Sequence, residues 1–326
     1  MNFKGISFYL SLFCFPISFL AFINILYASY FDYFLSIDTY FTTFLISLIV
    51  GTGLLYYGKN TKKKIDFIEQ LILIFITYLL TSVLIAIPFY LSNYQVTFIN
   101  SLFESVSGLT GTGFSIFKNI KYLDPTLILW RSSSQWIGGL FFLFFLIIIF
   151  SNKSFNFKMT NLTYSGENNI NSEGNIKYNI LRVLIVYSTL SIIILSLLNF
   201  SGLRLFNSLN MSMTLVSSGG FLPTDDIYKI ISTNFQKIIL IFSLIASMLN
   251  IYLLFNLFNK NILIKEHKED LYLIILAIIF CFLIYFNNYN GLDIIISVVS
   301  SLSNSGLTLV KSNNNLSLYF LLITII

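Results

Sequence analysis

Between two apolar runs long enough to cross a membrane lies one that is too short to do so. Residues 96–109 fall below the roughly 20 helical residues that a bilayer core requires, and they lead into Thr110-Gly111-Thr112-Gly113. The expected structure is a short helix that enters the membrane and turns back. Irregular backbone survives at that depth only when it is buried in protein or faces water. Glycine supports the dihedral angles that aim successive carbonyls one way, and threonine adds a hydroxyl. The helix ahead of the loop would point its negative C-terminal end at it, a polarity that suits a cation. Rings of such carbonyls replace the hydration shell of potassium in channel filters.

The rest of the chain is built around membrane-length segments. Of its 326 residues, 56% are hydrophobic and 10% charged, where a soluble protein carries about 25% charged residues. Spans are predicted at 6–27, 37–57, 67–90, 126–150, 180–200, 235–258 and 271–286, with an eighth beginning at 316. The first, with a kink at Pro16, is expected to be retained and not cleaved as a signal peptide. Two more short stretches, 202–223 and 291–309, lie between later spans. Residues 151–179 read as a polar surface loop. Cys14 and Cys281 fall inside apolar runs and read as small core residues, and His267 as a solvated surface residue.

The net charge of +5 does not point to nucleic acid, because the basic residues sit in short loops. Lys4, Lys59, Lys62–Lys64, Lys153, Lys158, Lys177, Arg182, Lys260, Lys265 and Lys268 share one side, and the positive-inside rule makes that side cytoplasmic. The N-terminus is then cytoplasmic, and all three short stretches enter from outside.

Span, short stretch, span is thus an internal repeat. The endings are Thr110-Gly111-Thr112-Gly113-Phe114, Ser217-Ser218-Gly219-Gly220-Phe221 and Ser303-Asn304-Ser305-Gly306-Leu307. Here the chain resembles the Trk/Ktr/HKT potassium transporter superfamily, most closely its TrkH branch. Phe103-Glu104-Ser105-Val106-Ser107-Gly108-Leu109-Thr110-Gly111-Thr112-Gly113 is similar to that branch's first filter. Trp130-Arg131 followed by Gln135-Trp136-Ile137-Gly138-Gly139 resembles the start of its next helix, and the Gly219-Gly220-Phe221 ending resembles the second filter. The third ending is the loosest match. Gly111 stands where that branch usually carries threonine, a change expected to soften the site.

The resemblance implies an all-α membrane protein: two leading transmembrane helices, then helix–pore loop–helix units around a pseudo-symmetric pore. The divisions are 1–64, 65–179 for the first repeat, 180–265 for the second and 266–326 for the third. The resemblance also implies four repeats. The chain stops at Ile326, inside the eighth span, so the remainder is expected downstream or on a separate chain, and the chain is not expected to transport alone. Further implications are multi-pass insertion in the inner (plasma) membrane, a homodimer, and a cytosolic TrkA-type nucleotide-binding regulatory partner. Potassium would be the substrate, with no bound cofactor and no resident metal.

The filter candidates are Thr110, Gly111, Thr112, Gly113, Ser217, Ser218, Gly219, Gly220, Ser303, Asn304, Ser305 and Gly306. Glu104 and Arg131 are ionisable at membrane depth, where an unpaired charge costs about 2.5–3.5 kcal/mol. They read as a pair supporting the filter and close enough to the outer face to snorkel. Asp225 and Asp226 either draw cations to the mouth or form a solvated loop pair. Gly138 and Gly139 suit close helix packing. A sodium-coupled or sodium-permeable transporter of the Ktr/HKT kind stays open, as do a membrane enzyme and a non-conducting scaffold. No catalytic constellation is visible.

Overall fold

The computed structural model describes residues 2–59, 65–150, 173–249, 268–285 and 291–307. Among them every regular element is helical. The cationic run at 60–64, most of the 151–179 loop, His267 and the eighth span lie outside the described residues.

The chain divides into two compact units, the first comprising Met1–Thr110 and Phe114–Asn156. It holds α1 (Phe3–Tyr30), α2 (Phe34–Gly58), α3 (Phe67–Leu91), the short α4 (Phe98–Leu109) and α5 (Pro125–Phe150). Each start has a local cause. Asn2 Oδ1 accepts from the Gly5 amide, and Asp66 and Glu69 form a capping box at α3. Glu69 does more, since its carboxylate also accepts the Asn2 amide at 2.5 Å. One side chain therefore caps α1 and α3 together. Pro125 opens α5 at the first helical position, where its missing N–H leaves no bond unmade.

The interior of this unit is aromatic and aliphatic. Phe13 packs edge-on to Phe141 and stacks with Phe145, and Leu73 lies against Ile6 and Leu10. The Trp130 indole N–H donates 3.0 Å to the Ile85 carbonyl of α3, one turn before Pro88. Hydroxyls within these apolar helices bond back to their own backbone, as Thr77 does to Leu73 and Thr81 to Thr77. That satisfies them where no water is available.

The second unit comprises Gly111–Gly113 and Phe157–Ile326. Its helices are α6 (Glu173–Phe200), the short α7 (Leu205–Val216), α8 (Asn234–Met248), α9 (Lys268–Tyr285) and the short α10 (Gly291–Leu302). A capping box of Thr233 and Gln236 starts α8. The repeat shows in local structure as well as in sequence. A single 3₁₀ turn, Ile120–Tyr122 or Ile227–Lys229, precedes the long helix after each of the first two loops.

Five described helices are long and apolar enough to cross a membrane: Phe3–Tyr30, Ser36–Gly58, Phe67–Leu91, Pro125–Ile149 and Tyr178–Phe200. Two boundaries differ from expectation. Helix α6 begins at Glu173, inside the stretch read as a loop through 179, so the helix outruns its apolar segment. The span expected at 235–258 is not one continuous helix, because Leu249 takes extended dihedral angles and closes α8 at Met248.

Candidate functional site

The three short helices, each of 12 residues, end in one shared way. In α7 the Ser218 amide donates to the Leu215 carbonyl and the Gly219 amide to Thr214. In α10 the Asn304 amide donates to Ser301 and the Ser305 amide to Ser300. Both are Schellman caps, which need a left-handed residue just past the helix. Ser218 and Asn304 fill that place at φ 52° and 58°, and Gly111 does so after α4 at φ 71°. Gly111 is thus a helix stop in the register of Ser218 and Asn304. With no Cβ, it takes at no steric cost a conformation that is strained for the other two.

Two residues beyond each left-handed position stands a glycine, Gly113, Gly220 or Gly306. A Cβ on Gly113 would sit 2.9 Å from the Gly220 Cα and 3.0 Å from its nitrogen. A Cβ on Gly220 would sit 2.8 Å from the Ser305 carbonyl oxygen. Backbone segments from the three predicted loops therefore meet with no room for side chains. The Thr214 and Ser300 carbonyls are engaged by their caps. The negative ends of α7 and α10 lie at these loops, which favours a cation.

Each loop is backed differently. Behind the first, Arg131 Nε lies 2.8 Å from Glu104 Oε1, and both side chains are at most 1% exposed. Arg131 Nη2 donates to Ser115 Oγ, which in turn donates to Glu104 Oε1. Glu104 Oε2 accepts the Ile116 amide at 2.8 Å. The guanidinium also lies 5.9 Å from the Phe117 ring centre. Neither charged group snorkels, because both side chains are buried in protein. Ser107 Oγ donates to the Phe114 carbonyl at 2.6 Å, tying α4 to the residue after Gly113.

Seven residues before the left-handed position, where the first loop has Glu104, the second has Met211 and the third Ser297, both fully buried. Tyr187 of α6 is buried behind the second loop, with its hydroxyl beside that of Ser217. Behind the third, Ser305 Oγ lies 3.1 Å from Ser300 Oγ and 3.0 Å from Ser303 Oγ. Asp225 and Asp226 are both paired with Lys229, at 3.4 and 3.0 Å. A Cβ on Gly138 would fall inside van der Waals contact with the Leu109 carbonyl, so α5 closes on the end of α4 there.

Sequence reasoning singled out Glu104 and Arg131 but missed Ser115, the Ile116 amide and Tyr187. Only Ser115 carried a signal, as a hydroxyl just past the filter. Among the described residues no group of three or more His, Cys, Asp or Glu is placed to hold a metal ion.

Comparison with known proteins adds an independent line. The profile of the TrkH family, described as a cation transport protein, matches residues 36–265. An uncharacterized cation transporter of Methanocaldococcus jannaschii is 27% identical over 296 residues, covering 86% of this chain and 60% of that protein. The Trk system potassium uptake protein TrkG of Escherichia coli is 34% identical over 106 residues, or 32% of this chain and 22% of that one. The crystal structure of the potassium transporter TrkH from Vibrio parahaemolyticus superposes with a TM-score of 0.74, covering 94% of this chain and 66% of that one. At 18% identity the last is a likeness of fold. The chain thus spans about 60% of the length of the archaeal relative.

Proposed function

The chain belongs to the TrkH family of cation transport proteins, and on that premise we propose that it carries potassium inward across the cell membrane through the three glycine loops. One observation supports this above the others. Gly113, Gly220 and Ser305 bring three helix-capped loops together backbone to backbone, leaving loop carbonyls as the ligands. Rings of backbone carbonyls substitute for the water shell of a monovalent cation. Thr112, Gly219 and Ser305, between the left-handed residues and the glycines, are the central carbonyl donors of this reading. Growth at low potassium of cells stripped of their own uptake systems, with rubidium influx as the direct measure, tests it. Rescue is expected when the chain is expressed together with the fourth repeat that the family resemblance implies; no rescue and no influx from that correctly inserted whole would refute it.

The same reading carries the topology and partners. Family resemblance supports a homodimer and a cytosolic TrkA-type regulatory subunit. The distribution of lysine and arginine supports a cytoplasmic N-terminus and loops opening outward. Single cysteines at Asn119 and Asn168 test the orientation with a membrane-impermeant thiol reagent on intact cells. Asn119 lies exposed beyond the first loop and is expected to react, and Asn168 to be protected. The reverse pattern would invert the assignment.

A further inference from the structure

Lys237 stands in the first turn of α8, and Asp293 in the first turn of α10. The ammonium nitrogen lies 2.7 Å from Asp293 Oδ1, with the side chains only 15% and 12% exposed. By contrast, the Lys229 pairs belong to a side chain 51% exposed. The Lys237 approach is close but off the hydrogen-bonding direction, so charge holds the pair. The sequence alone gives Lys237 no partner. We propose that Lys237 and Asp293 form a positioning clamp that sets the third loop against the second. The inference rests on the transport reading above.

Three features carry it. First, Asp293 sits at the positive end of α10, so the helix and the lysine both hold the carboxylate. Second, the neighbouring Gln236 donates 3.2 Å to the Ser201 carbonyl just past the end of α6. Two adjacent residues at the start of α8 therefore grip the end of one helix and the start of another. Third, α10 is a rod of 12 residues, about 18 Å long at 1.5 Å per residue. Its far end runs into a loop bound back onto it through Ser300, Ser303 and Ser305. Helix and loop move as one body, and that body places the Ser305 carbonyl against Gly220. A shift at Asp293 is delivered to the line where the two loops touch.

The test is a double-mutant cycle in the native transporter: Lys237→Met, Asp293→Asn and both together. Rubidium-over-sodium uptake and melting in detergent are the two readouts. Each single change leaves one poorly solvated charge, and is expected to lower the uptake ratio roughly tenfold. The double variant is expected to be no worse than either single, because the two changes remove one interaction. Lys237→Arg, which keeps the charge, is expected to stay within about twofold of the native ratio. Losses that multiply, or a ratio unmoved in the singles, would overturn the clamp. Should the native protein move neither ion, the transport reading falls and melting decides alone. A double variant as stable as either single then supports the clamp, and additive destabilisation overturns it. Variants too scarce for uptake are judged by the same two melting outcomes.

Discussion

Replacing Arg131 with methionine is expected to destabilise the protein by about 3–5 kcal/mol, the scale of breaking one side of a buried ion pair. The Glu104 carboxylate would keep its bonds from Ser115 and the Ile116 amide but lose its only charged partner in this network. Arg131→Lys is expected to lose less, since the charge remains while the fork that reaches both Glu104 and Ser115 does not. Glu104→Gln strands the guanidinium instead, and is expected to resemble Arg131→Met. Removing both charges together is expected to cost less than the two single losses summed. Melting in detergent measures the stabilities, and rubidium uptake measures the effect on the loop that the network backs. An Arg131→Met protein that melts with the native one would show that the pair contributes nothing.

Alanine at four glycines is expected to give a graded series, set by what each Cβ would meet. Gly138→Ala drives a methyl into the Leu109 carbonyl and is expected to cost about 3 kcal/mol, with α5 displaced from the end of α4. At Gly113 the φ of +79° adds about 1–2 kcal/mol of left-handed strain to the approach onto Gly220. That substitution is expected to lower potassium preference over sodium, and Gly113→Ser to do the same. A Cβ at Gly306 meets nothing within 4 Å among the described residues, so only its φ of +66° resists the change. Gly53, inside α2 with open space around it, is the control. Alanine there is expected to be neutral or to stabilise by up to about 1 kcal/mol. An uptake ratio unchanged in Gly113→Ala and Gly113→Ser would place Gly113 outside the ion pathway. A Gly138→Ala protein as stable as Gly53→Ala would show that α5 does not need that close approach.

Much of the architecture is local, and local physics is legible in a sequence. Apolar runs of about 20 residues announce spans, and runs too short to span announce helices that turn back. The pairing of Glu104 with Arg131 was legible too, because two charges at membrane depth in successive segments have few other partners. Register within the loops was not. Gly111 reads as one residue of a Thr-Gly-Thr-Gly run, and its φ of 71° puts it in the left-handed register of Ser218 and Asn304. That distinction depends on dihedral angles, and serine, asparagine and glycine can all adopt the left-handed one. Contacts across helices were equally hidden. Tyr187 meeting Ser217, and Lys237 meeting Asp293, join residues of different helices whose side chains carry no mark of their partner. A tyrosine or lysine near a membrane edge is ordinarily an interface anchor. Only packing takes these two out of that role, by burying them beside the end of α7 and the start of α10.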